Sequence, residues 1–162
     1  MRTAIATDSN KRYYTGAGSK IRYLCAAYAF YDQWGNVYEG VNLTHEEFFR
    51  QMEEGADITT SQPSPGEVTD FWDKLLKEYD EILYIPMSGG LSGSCQTAIM
   101  LSDDYDGKVQ VVNNQRISVT QEQSALDARD LAAKGYEAAQ IKEILERVKY
   151  ESSIYITLTT LK

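Results

Sequence analysis

Cationic side chains are scarce in this sequence. Lysine and arginine total 16 against 24 aspartates and glutamates, a formal charge of -8 over 162 residues. This balance argues against nucleic acid as a partner, because phosphate contacts need a surplus of cations. An anionic membrane surface is disfavoured for the same reason. Histidine occurs once, as His45, which leaves little for imidazole catalysis or a histidine metal site. The two cysteines, Cys25 and Cys95, stand far apart and form no CxxC pair. They read as reduced, partly buried thiols of a cytoplasmic protein. No apolar run approaches the ~20 residues of a membrane span. "MRTAIATDSN" turns polar by its eighth residue and reads as a strand, not a signal peptide. The glycosylation pattern "NLT" at Asn42–Thr44 carries no weight in a chain that is not secreted.

What is present fits one α/β domain over residues 1–162, long enough to bury a core without disulfides or metals. "TAIATD" is a buried first strand ending in Asp8-Ser9. "KRYYTGAGSK" is too rich in Gly and Tyr for a helix, and "IRYLCAAYAFYDQWGNVYEGVN" is β-like and aromatic with a turn near Gly35-Asn36. Thr44 and Glu47 form a capping box for a helix ending at Gly55, with Leu43 and Phe48 as its hydrophobic staple. Ser64-Pro65-Gly66-Glu67 is a second box, with proline at the first helical position. Val68, Phe71, Trp72, Leu75 and Tyr79 then recur with helical period.

"EILYIP" is a continuous apolar strand and "GKVQVVN" another. Ser118 and Gln121 open a helix that Gly135 ends. Ile141, Ile144, Leu145 and Val148 form the buried face of the next helix, and "SIYITLTTLK" reads as a last strand. The alternation predicts a three-layer sandwich with a mainly parallel sheet, its strands near 3–7, 82–86 and 108–112 and helices starting near 44, 64, 92 and 118.

Two hydroxyl-rich stretches stand out, "TTSQPSPGE" at 59–67 and "YIPMSGGLSGSCQTA" at 84–98. Ligands of an open parallel sheet bind outside the carboxyl ends of the strands. A helix N-terminus there offers unpaired N–H groups and partial positive charge. Glycines let that backbone approach a ligand, and Ser88, Ser92 and Ser94 add neutral donors. An anion or carboxylate site can thus be built without lysine. Each hydroxyl alone also has a plain structural reading: Ser64 as an N-cap, Ser92 as another, and Thr59, Thr60 and Ser61 as loop residues.

Other chemistries fit less well. No lysine lies between Tyr84 and Asp106, so a P-loop fails. "GLSGS" misses the G-x-S-x-G hydrolase elbow by one residue, and His45, one residue into a capped helix, reads as part of a solvated face. "SDDYDG" lacks the rest of a calcium loop and reads as a solvated turn.

"ATDS", "TSQPSPGE" and "YDEILYIPMSGGLSGSCQTA" together resemble the DegV family of bacterial fatty-acid-binding proteins, and "YEGVNLTHEEFF" resembles the family's intervening segment. The resemblance implies a long-chain fatty acid held by its carboxylate at these loops, with its tail in an apolar tunnel. Carried over by residue, Thr60 and Ser92 match the positions that hydrogen-bond the carboxylate, and Ser61, Ser88 and Gly93 are their neighbours.

It further implies a non-catalytic lipid carrier that presents the carboxylate to a separate fatty-acid kinase. No cofactor, metal or catalytic residue is expected beyond the bound fatty acid. Gly89 and Ser94 stand where the family often has serine and threonine, and Asn113-Asn114 where an aspartate and a small hydroxyl residue are common. Family members continue into a second α/β domain that closes the tunnel. The sequence matches the N-terminal half, so an open groove, weak binding and a homodimer are expected. The reading from a different class is a small serine-dependent hydrolase or acyltransferase using Ser92.

Overall fold

The runs "TAIATD" and "EILYI" lie side by side in the middle of a parallel sheet. The computed structural model of the chain describes residues 2–8, 24–26, 29–32, 35–38, 45–55, 59–155 and 157. Strand β1 (Thr3–Asp8) pairs in parallel with β2 (Leu24–Ala26) and with β6 (Glu81–Ile85), and β6 pairs in parallel with β7 (Val109–Val111). The order is β2-β1-β6-β7. All five residues of β6 are buried, because helices cover both faces of the sheet. A continuous apolar run is the sequence form of such a strand.

Successive residues of each strand supply the two faces in turn. Ala4, Ala6, Ile82, Tyr84, Val109 and Val111 face one core, with helices α2 (Pro65–Leu76) and α3 (Ser94–Ser102). Val68, Trp72 and Leu75 of α2 line that side at helical spacing, and Trp72 is fully buried edge-on to Tyr84 and Tyr105. Leu83, Ile85 and Val112 face the other core, with α4 (Ser118–Ala133) and α5 (Ala138–Arg147). Small residues Ser124, Ala125 and Ala128 bring α4 close to the strands. Ile141 and Leu145 are buried on α5, whereas Ile144 and Val148 are half-buried. This is the expected three-layer α/β sandwich.

A smaller antiparallel sheet, ordered β4-β3-β5, joins β3 (Ala29–Asp32), β4 (Gly35–Tyr38) and β5 (Thr59–Ser61). Helix α1 (His45–Glu53) lies between β4 and β5 in the chain, and Gly55, at φ 83°, follows it. The Ser64 box forms as expected. Ser64 Oγ accepts the Glu67 N–H at 3.3 Å, and Glu67 Oε2 accepts the Ser64 N–H at 2.8 Å. Gly135, at φ 91°, ends α4 in a Schellman motif: its N–H donates to Ala132 O and that of Tyr136 to Leu131 O.

Several expectations need refinement or correction. Asp32 pairs with Gly35, so Gly35 and Asn36 are the first residues of β4, next to the expected turn. Helix α3 starts at Ser94, two residues later than predicted, after Gly93 as its N-cap. Helix α4 does start at Ser118 as expected, and there the Ile117 N–H donates to Thr120 Oγ1 at 3.3 Å. Of the expected last strand, residues 153–155 form no strand, and 156 and 158–162 lie outside the described residues. "KRYYTGAGSK", Thr44 and the Leu43–Phe48 staple lie outside the described residues and side chains.

Candidate ligand-binding site

The segment leaving β6 is fixed from beneath by the end of β1. Asp8 is fully buried there, and its Oδ2 accepts the Met87 N–H at 2.6 Å. Gln121, also fully buried, donates from Nε2 to Asp8 Oδ1 at 2.9 Å, to Thr7 Oγ1 at 2.9 Å and to Ile85 O at 3.0 Å. Thr7 Oγ1 in turn donates to Ile85 O at 2.8 Å. These bonds lock the carboxyl ends of the two central strands, where the loop begins. The sequence reading placed Gln121 with Ser118 at the opening of a helix; its full burial gives it this deeper task.

The loop then closes on itself. Ser88 O accepts the N–H groups of Leu91 and Ser92 at 2.9 and 3.1 Å, and Ser88 Oγ accepts that of Gly90 at 3.3 Å. Ser88 N–H donates to Arg116 O at 2.9 Å, tying the loop to the segment after β7. Asn113 Oδ1 accepts the Gly89 N–H at 3.3 Å, and the Asn113 N–H donates to Glu146 Oε1 at 3.0 Å. A Cβ on Gly89 would sit 3.1 Å from Asn113 Nδ2, so glycine at 89 and asparagine at 113 fit each other.

Helix α3 starts directly from this loop. Ser92 Oγ accepts the Ser94 N–H at 3.2 Å, and Gly93 O accepts the Thr97 N–H at 3.0 Å. Among the described residues, the N–H groups of Gly93, Cys95 and Gln96 have no intramolecular acceptor. They are the unpaired donors that a helix start offers to an anion. The surroundings supply negative charge rather than positive. Burial, with Glu146 and Asp8 behind it, pushes the Cys95 thiol up to about 11, and Lys142 opposes the shift. Cys95 is a free, buried thiol.

The second hydroxyl-rich stretch meets the first at α3. Thr60 lies on β5 opposite Phe30, and Ser61 follows, half-buried, its Oγ donating to Gln62 O at 2.9 Å. Gln62 Nε2 donates to Thr97 Oγ1 at 3.2 Å, in the first turn of α3. Its Oε1 lies 3.6 Å from the point where a Cβ on Gly93 would sit. Gln62 thus brings the segment of Thr60 and Ser61 beside that of Ser92 and Gly93. Ser88 is buried beneath them with its hydroxyl engaged inside the loop, a supporting position. The sequence pattern missed Gln62, Thr97 and Gln121 as parts of this arrangement, because their partners lie 35 to 114 residues away.

His45 is the first residue of α1. Among the described residues, no hydrogen bond joins Ser92 to a histidine or carboxylate, and no cluster of three His, Cys, Asp or Glu residues forms. None of the described helices is long and apolar enough to cross a membrane.

Comparison with known proteins gives a consistent result. The family described as "Uncharacterised protein, DegV family" matches residues 32–162. A DegV domain-containing protein of Deinococcus radiodurans is 32% identical over 129 residues, which cover 78% of this chain and 46% of that protein. Among solved structures, a DegV family protein of Thermus thermophilus, described by its fatty acid binding, aligns with a TM-score of 0.82 at 28% identity, covering 93% of this chain and 54% of that one. The Streptococcus pneumoniae fatty acid kinase B3 protein, loaded with linoleic acid, shares the fold at 16% identity with a TM-score of 0.73, covering 93% of this chain and 55% of that one. The chain thus spans about half the length of these relatives.

Proposed function

The chain belongs to the DegV family, and from that premise we propose that it binds a long-chain fatty acid and receives the carboxylate between β5 and the start of α3. Thr60 and Ser92 hydrogen-bond the carboxylate in this reading, with Ser61 and Gly93 beside them and Ser88 supporting the loop. The observation that carries it is the meeting of the two hydroxyl-rich stretches at a helix start whose Gly93, Cys95 and Gln96 N–H groups are unpaired. Neutral donors aimed at one point can hold a carboxylate in an acidic chain, because charge-assisted hydrogen bonds are about twice as strong as neutral ones. The tail lies against apolar surface and gains ~0.8 kcal/mol for each methylene buried.

The chain acts as a carrier and presents the carboxylate to a separate kinase that phosphorylates it. The family resemblance and the fold shared with the pneumococcal protein support this role. Residues 1–162 form one α/β unit that aligns with about half of the longer relatives, and the chain pairs with a second copy as a homodimer.

Native mass spectrometry of the purified chain tests the proposal. A co-purifying fatty acid is the expected result, with the dimer mass beside that of the monomer. A chain that carries no lipid and fails to bind an added fluorescent fatty acid would overturn the reading.

A further inference from the structure

Gln62 is the point at which the two stretches of the candidate site touch. It follows β5 directly and precedes the buried Pro63, so its backbone has little freedom. Its side chain is half-buried and crosses to α3, donating to Thr97 Oγ1 at 3.2 Å. The other end of the same amide lies against Gly93, the N-cap of α3, where a side chain would come within 3.6 Å of Oε1. Thr97 is itself fixed, because its N–H donates to Gly93 O at 3.0 Å. One amide therefore fixes the spacing between the segment carrying Thr60 and Ser61 and the segment carrying Ser92 and the unpaired N–H groups.

We propose that Gln62 and Thr97 are positioning residues that set the distance between the two halves of the head-group site, and so its preference for a carboxylate over an uncharged head. This inference rests on the fatty-acid reading above. Two donors can converge on one carboxylate only at a narrow range of separations, because hydrogen bonds weaken steeply with distance and angle. An ester head accepts weaker bonds and is less sensitive to that spacing. The Gln62–Thr97 bond therefore acts on the charged ligand most.

The test uses hexadecanoic acid and its methyl ester as probes. Loss of one net hydrogen bond in Thr97→Val, which keeps the side-chain shape, should weaken binding of the acid by roughly fivefold. Binding of the ester should be unchanged. Gln62→Met should have the same effect, and the double variant should lose no more than either single one, because one bond is removed in each case. Thr97→Ser, which keeps the hydroxyl, should restore the preference for the acid; a role in packing alone would be rescued by valine instead.

Hydrogen exchange on the free protein provides a second arm that needs no ligand: exchange in residues 59–62 and 92–95 should rise together in Thr97→Val. Unchanged exchange in both segments would overturn the bridge itself. Faster exchange with the wild-type ratio of acid to ester affinity would overturn the positioning role. A wild-type chain that binds neither probe would reject the fatty-acid reading and the carboxylate preference with it, while the exchange arm still decides the bridge.

Discussion

The two hydroxyl-rich stretches are built in opposite ways. The one after β6 grows out of the central strands and is gripped from below by Asp8 and Gln121 and from the side by Arg116 O and Asn113. The one after β5 leaves a small antiparallel sheet, runs into the capping box of α2, and reaches the first stretch through the amide of Gln62. The first is a template whose geometry the sheet dictates; the second is brought to it. On the reading proposed above, the contrast is how an acidic chain prepares an anion site without lysine. Buried polar groups hold the backbone donors in place beforehand, so the ligand need not organise them.

Removing the grip on the template tests this contrast most strongly. Asp8→Ala leaves the Met87 N–H without its acceptor and takes one acceptor from Gln121. An unsatisfied buried donor costs about 1–3 kcal/mol, so the variant should lose about 3 kcal/mol of stability in urea unfolding. Fatty-acid binding should fall with it, because residues 87–92 would no longer start from a fixed point. Wild-type stability in Asp8→Ala would show that the loop is held by its own turns.

The next effect belongs to the ligand. If both stretches meet one carboxylate, each charge-assisted hydrogen bond contributes about 1.5–3 kcal/mol. Thr60→Val and Ser92→Ala should then each weaken binding by about ten- to a hundredfold. Their combined loss should be less than the sum, since both act on one group. Titration of a fluorescent fatty acid into the two single variants and the double variant measures this. Fully additive losses would mean that the stretches contact separate parts of the ligand, and wild-type affinity in both single variants would remove the head-group assignment.

Much of the template was legible in the sequence. "TAIATD" and "EILYI" are apolar runs bounded by turn residues, and the strands fall within a residue or two of the expected spans. Capping at Ser64 and termination at Gly135 rest on contacts within a few residues, so local pattern suffices for both. A turn near Gly35-Asn36 was legible from the Gly-Asn pair, and pairing of Gly35 with Asp32 agrees with it. Helix α3 starts late because Gly93 caps it without a side chain, whereas the hydroxyl of Ser92 marks a start two residues earlier. Asp8 reads as an ordinary strand end, and its role depends on Met87, 79 residues away. Likewise, nothing within the pattern of "TSQPSP" indicates that its glutamine meets Thr97. The assignment of Thr60 and Ser92 came from family resemblance, because composition and spacing reached only a small anion or carboxylate.

The smallest effect should come from the cap that anchors the second stretch. Ser64 is exposed, yet its side chain accepts the Glu67 N–H while Glu67 accepts the Ser64 N–H, so each supports one end of the box. Loss of a serine cap costs about 1 kcal/mol. Ser64→Ala should therefore lower stability by about that amount, and Glu67→Ala in the same background should add little, because the reciprocal pair is already broken. The more telling measurement is binding. Ser64 lies only two residues beyond Gln62, so fraying the start of α2 should loosen the β5 side and leave the template untouched. Affinity for a fatty acid should drop by a few-fold at most, and hydrogen exchange should rise in residues 61–68 but not in 86–90. Equal loosening of both segments would show that the two stretches move as one body, and the distinction between template and partner would fall.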